Sequence, residues 1–242
     1  GPTARRNHAM ASLGNGKVLM YGGSGDRDVL QDASIFSLSF DVKLGKEVGA
    51  WTKTEDAPNA RVYHAMSSLG NGKVLMYGGY PSNKDSYIFS LSINNGKNGK
   101  KIGTWTQTAD GPSERVFLAM SSLGNGKVLM YGGKSGDDKL NDAYIFSLLL
   151  NGKGGKETGT WTKTADGLGS ARFAHAMSSL AKGKVLMYGG SNQKHYLNDA
   201  YIFTLSTNEK TGEETGTWTK TADGPSARIT HAMSSLGNGK VL

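Results

Sequence analysis

The stretch Ala65-Met66-Ser67-Ser68-Leu69-Gly70-Asn71-Gly72-Lys73-Val74-Leu75-Met76-Tyr77-Gly78-Gly79 recurs unchanged from Ala119 to Gly133. Close copies begin at Ala9 and Ala176, and a last copy runs from Ala232 to Leu242. Working outward, the Tyr before each Gly pair falls at Tyr21, Tyr77, Tyr131 and Tyr188, at spacings of 56, 54 and 57. A Trp follows at Trp51, Trp105, Trp161 and Trp218, at spacings of 54, 56 and 57. Two independent markers therefore share one period, and self-similarity at a fixed period is the signature of a repeat architecture.

Each unit reads as four strands. Strand A is His64 to Leu69 in the second unit. Asn71-Gly72 follows, the preferred pair for a two-residue hairpin because both positions tolerate positive φ. Strand B, Lys127 to Tyr131 in the third unit, is apolar on both faces: Val128 and Met130 on one, Leu129 and Tyr131 on the other. That pattern belongs to a strand covered on both sides. Strand C is Tyr144 to Leu148, and strand D is Thr160 to Thr164. Strand D is polar and carries a Lys, which suits an outer edge that must not pair with neighbours. Four antiparallel strands of rising polarity describe a propeller blade, whose two apolar faces are hidden only by stacking between neighbours. The alternatives are an open β-solenoid or a run of small sheets.

Composition narrows the function classes. The 242 residues include 35 Gly, 5 Pro and no Cys. Without cysteine there is no disulfide, no Cys-ligated zinc or iron–sulfur cluster and no thiol nucleophile. Net charge is +8 and the pI is about 9.5, which favours acidic partners without selecting one. No stretch approaches the roughly 18 apolar residues that span a membrane. A signal peptide and an Asn-x-Ser/Thr sequon are both lacking, and the compartment is left open.

These markers resemble the kelch family. Each unit carries an Arg three residues before strand A, a Gly pair after strand B, an Asp just before strand C and a Trp in strand D. They are Arg5, Gly22-Gly23, Asp32 and Trp51, then Arg61, Gly78-Gly79, Asp85 and Trp105. The third and fourth sets are Arg115, Gly132-Gly133, Asp142 and Trp161, and Arg172, Gly189-Gly190, Asp199 and Trp218. The resemblance covers the whole chain and departs from the family in its longer period, with the extra length in the C–D hairpin. It implies an all-β, kelch-like β-propeller of four-stranded antiparallel blades, four complete blades plus a partial fifth. The repeats run at about 1–58, 59–112, 113–168 and 169–225, with the partial one at 226–242 of a single propeller domain or fragment. Kelch resemblance also implies a closed ring, so either sequence is missing or the incomplete terminal blade mediates self-association.

Catalytic chemistry finds no foothold. Copper–radical kelch enzymes resembling galactose oxidase need a Cys crosslinked to a Tyr, and this chain has no Cys. The Glu/Asp/His spacing of the iron-dependent members is not seen either. His8, His64, His175 and His231 share one place, but Leu118 breaks the series. Facing sheets stand about 10 Å apart, whereas metal ligands lie about 2 Å from their ion, so a structural role is the better reading. No catalytic residue, metal site or cofactor is assigned.

The candidate binding residues lie on one face. Arg5, Arg61, Arg115, Arg172 and Arg228 occupy the D–A connections, and the B–C loops are expected to reach the same side. By resemblance, kelch proteins often bind peptides there, and Arg can clasp a carboxylate through two hydrogen bonds. The competing reading is that each Arg braces blades. The B–C loops differ most between units, and Tyr80, Asn83, His195 and Tyr196 are their candidate anchors. The Lys- and Gly-rich C–D hairpins, Asn95–Lys101 and Asn151–Lys156, lack the interleaved aromatics of nucleic-acid sites, so they read as solvated loops. The expected function is a non-enzymatic protein-interaction scaffold presenting the D–A and B–C face to an acidic or polar ligand. The alternative is a multivalent, lectin-like propeller binding a glycan at one shallow site per blade.

Overall fold

The computed structural model describes residues 1–81, 84–91, 102–149, 157–181 and 183–242. No α-helix occurs among them. The first blade is β1 (Ala9–Gly14), β2 (Lys17–Tyr21), β3 (Ala33–Asp41) and β4 (Lys46–Lys53), hydrogen-bonded in that order. The second is β5 (Ala65–Gly70), β6 (Lys73–Tyr77), β7 (Ser86–Leu91) and β8 (Gly103–Gln107). The third is β9 (Ala119–Gly124), β10 (Lys127–Tyr131), β13 (Ala143–Leu149) and β14 (Thr158–Lys163). Its B–C loop adds a small ladder of β11 (Lys134–Ser135) and β12 (Asp138–Lys139). The fourth is β15 (Ala176–Ala181), β16 (Lys184–Tyr188), β17 (Ala200–Thr207) and β18 (Glu214–Lys220). A final hairpin of β19 (Ser235–Gly237) and β20 (Lys240–Val241) follows.

Every pairing within these sheets is antiparallel. The A strands touch in series, β1 with β5, β5 with β9, β9 with β15 and β15 with β19. Strand A is therefore the inner strand and D the outer one, as in an all-β kelch propeller.

Strand B carries the core. Val128, Leu129, Met130 and Tyr131 are fully buried, as are Val74, Leu75, Met76 and Tyr77. Each such side chain contributes about 1.5–3 kcal/mol only when both faces are covered, so the blades stabilise one another. The A–B turn has Asn71 at φ 52° and Gly72 at φ 73°, the left-handed pair that matches the twist of the flanking strands.

Strands A and D differ from their predicted extents. Strand A begins one residue late, at Ala65 rather than His64, because Tyr63 is held at φ 57° and turns the chain before pairing starts. Strand D begins earlier, at Thr158 in the third blade, and its Trp does more than decorate an edge. Trp161 packs on Tyr77 of the preceding blade with ring centroids 5.0 Å apart, and Trp105 on Tyr21 and Trp218 on Tyr131 repeat the contact. The indole N–H groups of Trp105 and Trp218 donate back to Glu55 O and Ala165 O. Tyr21, Tyr77 and Tyr188 in turn donate their hydroxyls forward to the carbonyls of Asn59, Ser113 and Ser226.

The Gly pair is the hinge point of each joint. Gly79 N–H donates to Arg115 O and Gly133 N–H to Arg172 O, both at 2.9 Å, across the blade boundary. Lys73 with Glu157, at 2.8 Å, and Lys127 with Glu214, at 2.9 Å, close two joints at the opposite end of strand B. These half-exposed ion pairs add up to about 1 kcal/mol each.

Candidate functional site

The face singled out in the sequence does form. In each complete blade the D–A connection bridges to the start of the B–C loop: Arg6 to Ser24, Val62 to Tyr80, Val116 to Lys134 and Phe173 to Ser191. Two variable segments thus lie side by side on rigid strands, an arrangement that suits recognition.

Four of the candidate arginines lie beneath this face, not on it. The side chains of Arg5, Arg61, Arg115 and Arg172 keep 3, 2, 1 and 0% of their exposure. Each grips the Asp that precedes strand C of its own blade. Arg172 reaches Asp199 at 2.6 and 2.8 Å and Gly189 O at 3.0 Å, and lies over the Tyr201 ring. Arg115 with Asp142, Arg61 with Asp85 and Arg5 with Asp32 repeat the clasp. A ligand on the loop face does not reach these guanidinium groups, because the blade itself already holds them. Arg228 is the exception: it is exposed, donates to Ser226 and has no carboxylate partner among the described residues.

The loop candidates divide differently. Tyr80 and Tyr196 are 57% and 64% exposed, at the bridged bases of their loops. His195 is exposed beside Tyr196, in a turn closed by Asn192, whose Oδ1 accepts from His195 N–H at 2.8 Å. Asn83 lies outside the described residues, as do the hairpin loops at 95–101 and 151–156.

The histidines sit between blades. His64 rests on Tyr21 and His175 on Tyr131, with centroids 4.8 and 5.3 Å apart, and both are buried with neither ring nitrogen hydrogen-bonded. Burial, reinforced by nearby Arg, pushes both imidazoles down to about 3. Leu118 fills the same slot in the third blade, which shows that the slot asks for apolar volume. No group of three or more His, Asp or Glu among the described residues is placed to share a metal ion.

An acid-sensitivity test follows. The unfolded imidazole binds a proton near 6.5 and the folded one only near 3, so the unfolded state holds more protons between those values. Stability is unaffected above pH 6.5 and falls as pH drops below it, by about 2 kcal/mol per histidine at pH 5. His175→Leu should unfold in urea like the parent at pH 8 and be about 2 kcal/mol more stable than it at pH 5. Parallel pH dependence in parent and variant would refute this.

Two features escaped the sequence reading. An open groove of about 700 Å³ lies against Trp51 on the first blade. Its lining includes Ser34, which stands where the other blades place Tyr87, Tyr144 and Tyr201. The other is a half-buried aromatic row at the inner end of the loop face, Tyr63, Phe117 and Phe173, taken up below. The repeats did show these positions varying between a constant Arg and the His or Leu118 slot, but not that they converge.

Four-stranded blades, stacked through inner strands and carrying their variable loops on one face, define a β-propeller. The chain belongs to the kelch-repeat family: the model of the KLHDC2/KLHL20/DRC7 Kelch-repeats domain matches residues 7–242. Kelch-repeat domains are generally protein-interaction scaffolds. Among curated proteins, the chain is 27% identical over 209 residues to Adagio-like protein 1 of Oryza sativa subsp. japonica, covering 78% of this chain and 31% of that protein. It is 26% identical to Adagio-like protein 3 of the same organism and 24% identical to Adagio protein 3 of Arabidopsis thaliana, with 78% of this chain and 30% of each relative covered. The chain thus spans about a third of the length of these relatives.

Proposed function

We propose that this chain is a non-enzymatic interaction module whose D–A and B–C loop face receives an acidic or polar segment of a protein partner. The observation that carries the reading is the pair of exposed tyrosines, Tyr80 and Tyr196, each held by a backbone bridge at the base of its B–C loop. Exposed aromatic anchors on an ordered frame are the usual centres of binding energy. The net positive charge favours a partner bearing carboxylates.

A glycan-binding reading with one site per blade needs the same surface four times. At the ladder position of Tyr80 the other blades carry Ser24, Lys134 and Ser191, and opposite them stand Val29, Lys139 and Tyr196. This divergence favours a single composite surface.

Affinity capture with the parent chain and with Tyr80→Ser/Tyr196→Ser, beside a glycan array, tests the reading. One stoichiometric protein should be retained by the parent and bind the variant at least tenfold more weakly. Saturable sugar binding near one per blade would transfer the assignment to the lectin class.

A further inference from the structure

Five residues at the entry to strand A share a left-handed backbone: Asn7, Tyr63, Phe117, Ala174 and Thr230, at φ 57°, 57°, 56°, 54° and 53°. They are joined blade to blade by a belt of backbone hydrogen bonds. Tyr63 N–H donates to Asn7 O, Phe117 to Tyr63, Ala174 to Phe117 and Thr230 to Ala174. Because the A strands are innermost, this belt rims the inner end of the loop face.

Left-handed backbone crowds the Cβ of any residue but glycine, and bulky aromatics are uncommon there. Glycine or asparagine serves nearly all the other positive-φ positions of this chain, yet no glycine occurs in the belt. The belt does not require aromatic rings either, since Ala174 and Thr230 keep the same angle and the same hydrogen bond. The angle belongs to the fold, but bulky rings at it do not, and rings placed where the fold does not need them point to a surface role.

The rings also converge. Tyr63 and Phe117 stack with centroids 4.2 Å apart, and Phe117 and Phe173 approach to 6.2 Å. All three are half-buried, so each keeps a free edge. The Lys134 ammonium sits over the Phe173 ring at 5.4 Å and makes no ion pair among the described residues. An apolar shelf beside an unpaired cation complements a large apolar side chain next to a carboxylate.

We propose that Tyr63, Phe117, Phe173 and Lys134 form an anchoring ledge for a partner peptide in which an aromatic or large aliphatic residue is flanked by Asp or Glu. This rests on the loop-face reading above and adds to it the anchor and its chemistry.

Selecting a displayed library of short random peptides on the parent chain tests the ledge. Recovered peptides should share an apolar residue flanked by acids. A synthetic copy should bind Tyr63→Ala/Phe117→Ala at least tenfold more weakly, while that variant melts within a few degrees of the parent, as the Ala174 precedent requires. Lys134→Glu should erase the preference for acidic flanks. Recovered peptides that ignore Tyr63→Ala/Phe117→Ala but lose affinity for Tyr80→Ser/Tyr196→Ser would sink the ledge and leave the loop-face reading standing. A library that yields no binder would overturn both. Loss of cooperative unfolding in the double alanine variant would show that the rings hold the belt together, and the ledge would fall.

Discussion

Arg172→Ala is expected to lower the unfolding free energy by about 3–5 kcal/mol, the range for removing one partner of a buried ion pair. The side chain is fully buried and its guanidinium satisfies both Asp199 oxygens and the Gly189 carbonyl. Alanine abandons all three acceptors in a site that water does not reach freely, and it also removes the guanidinium that lies over the Tyr201 ring. Lysine should rescue little, since one ammonium cannot reproduce the planar fork.

Burial alone would raise the Asp199 carboxyl, yet its hydrogen bonds and charge pairing with Arg172 hold it below the usual carboxylate range. The pair's contribution is therefore present above about pH 4 and is lost as pH falls through the folded-state value. Because blades interact only with their neighbours, the loss should start in β15–β18 and leave β1–β8 protected. Urea titration gives the total and amide hydrogen exchange its location; a change below about 1 kcal/mol would contradict the brace.

The second large effect is expected at the Gly pair. Gly132→Ala should cost about 3 kcal/mol or more, combining left-handed strain with overpacking. Gly132 stands at φ 61°, and a Cβ there would lie 2.7 Å from Arg172 O and 3.1 Å from His175 Cε1. The first of these is backbone of the next blade, so the joint has to open to admit the methyl group. Gly136→Ala isolates the left-handed strain: it has φ 57° with nothing within 4 Å of the added carbon. That control should lose only about 1 kcal/mol. Equal losses at the two sites would mean that the joint yields easily and that the Gly pair serves the turn alone.

Much of this was legible beforehand because the repeat supplies its own comparison. Strand B could be read from Lys127 to Tyr131, since four apolar residues in succession need cover on both faces. The Asn-Gly turns followed from the demand for positive φ. Strand D was read correctly as the outer strand, but the reach of Trp161 to Tyr77 was not, because periodicity reports which face a side chain takes and not what lies across a joint. The arginines show the same limit. Arg before strand A and Asp before strand C are separated by 27 residues in three of the blades, and no local rule says that they meet.

From its sequence alone this protein is committed to repeated antiparallel blades, because hydrophobic period, turn chemistry and the placement of Gly are local properties carried by each unit. Which groups remain for a partner was decided by the tertiary structure. Stacking buries Arg61, Arg115 and Arg172 against the aspartate and glycine carbonyl of their own blades, and it leaves Tyr80, Tyr196 and the Tyr63–Phe117–Phe173 row at the surface. The physical reason is that pairing joins residues 24 or 27 positions apart within a blade and burial depends on the neighbouring blade, and neither relation is written in the local pattern of the chain.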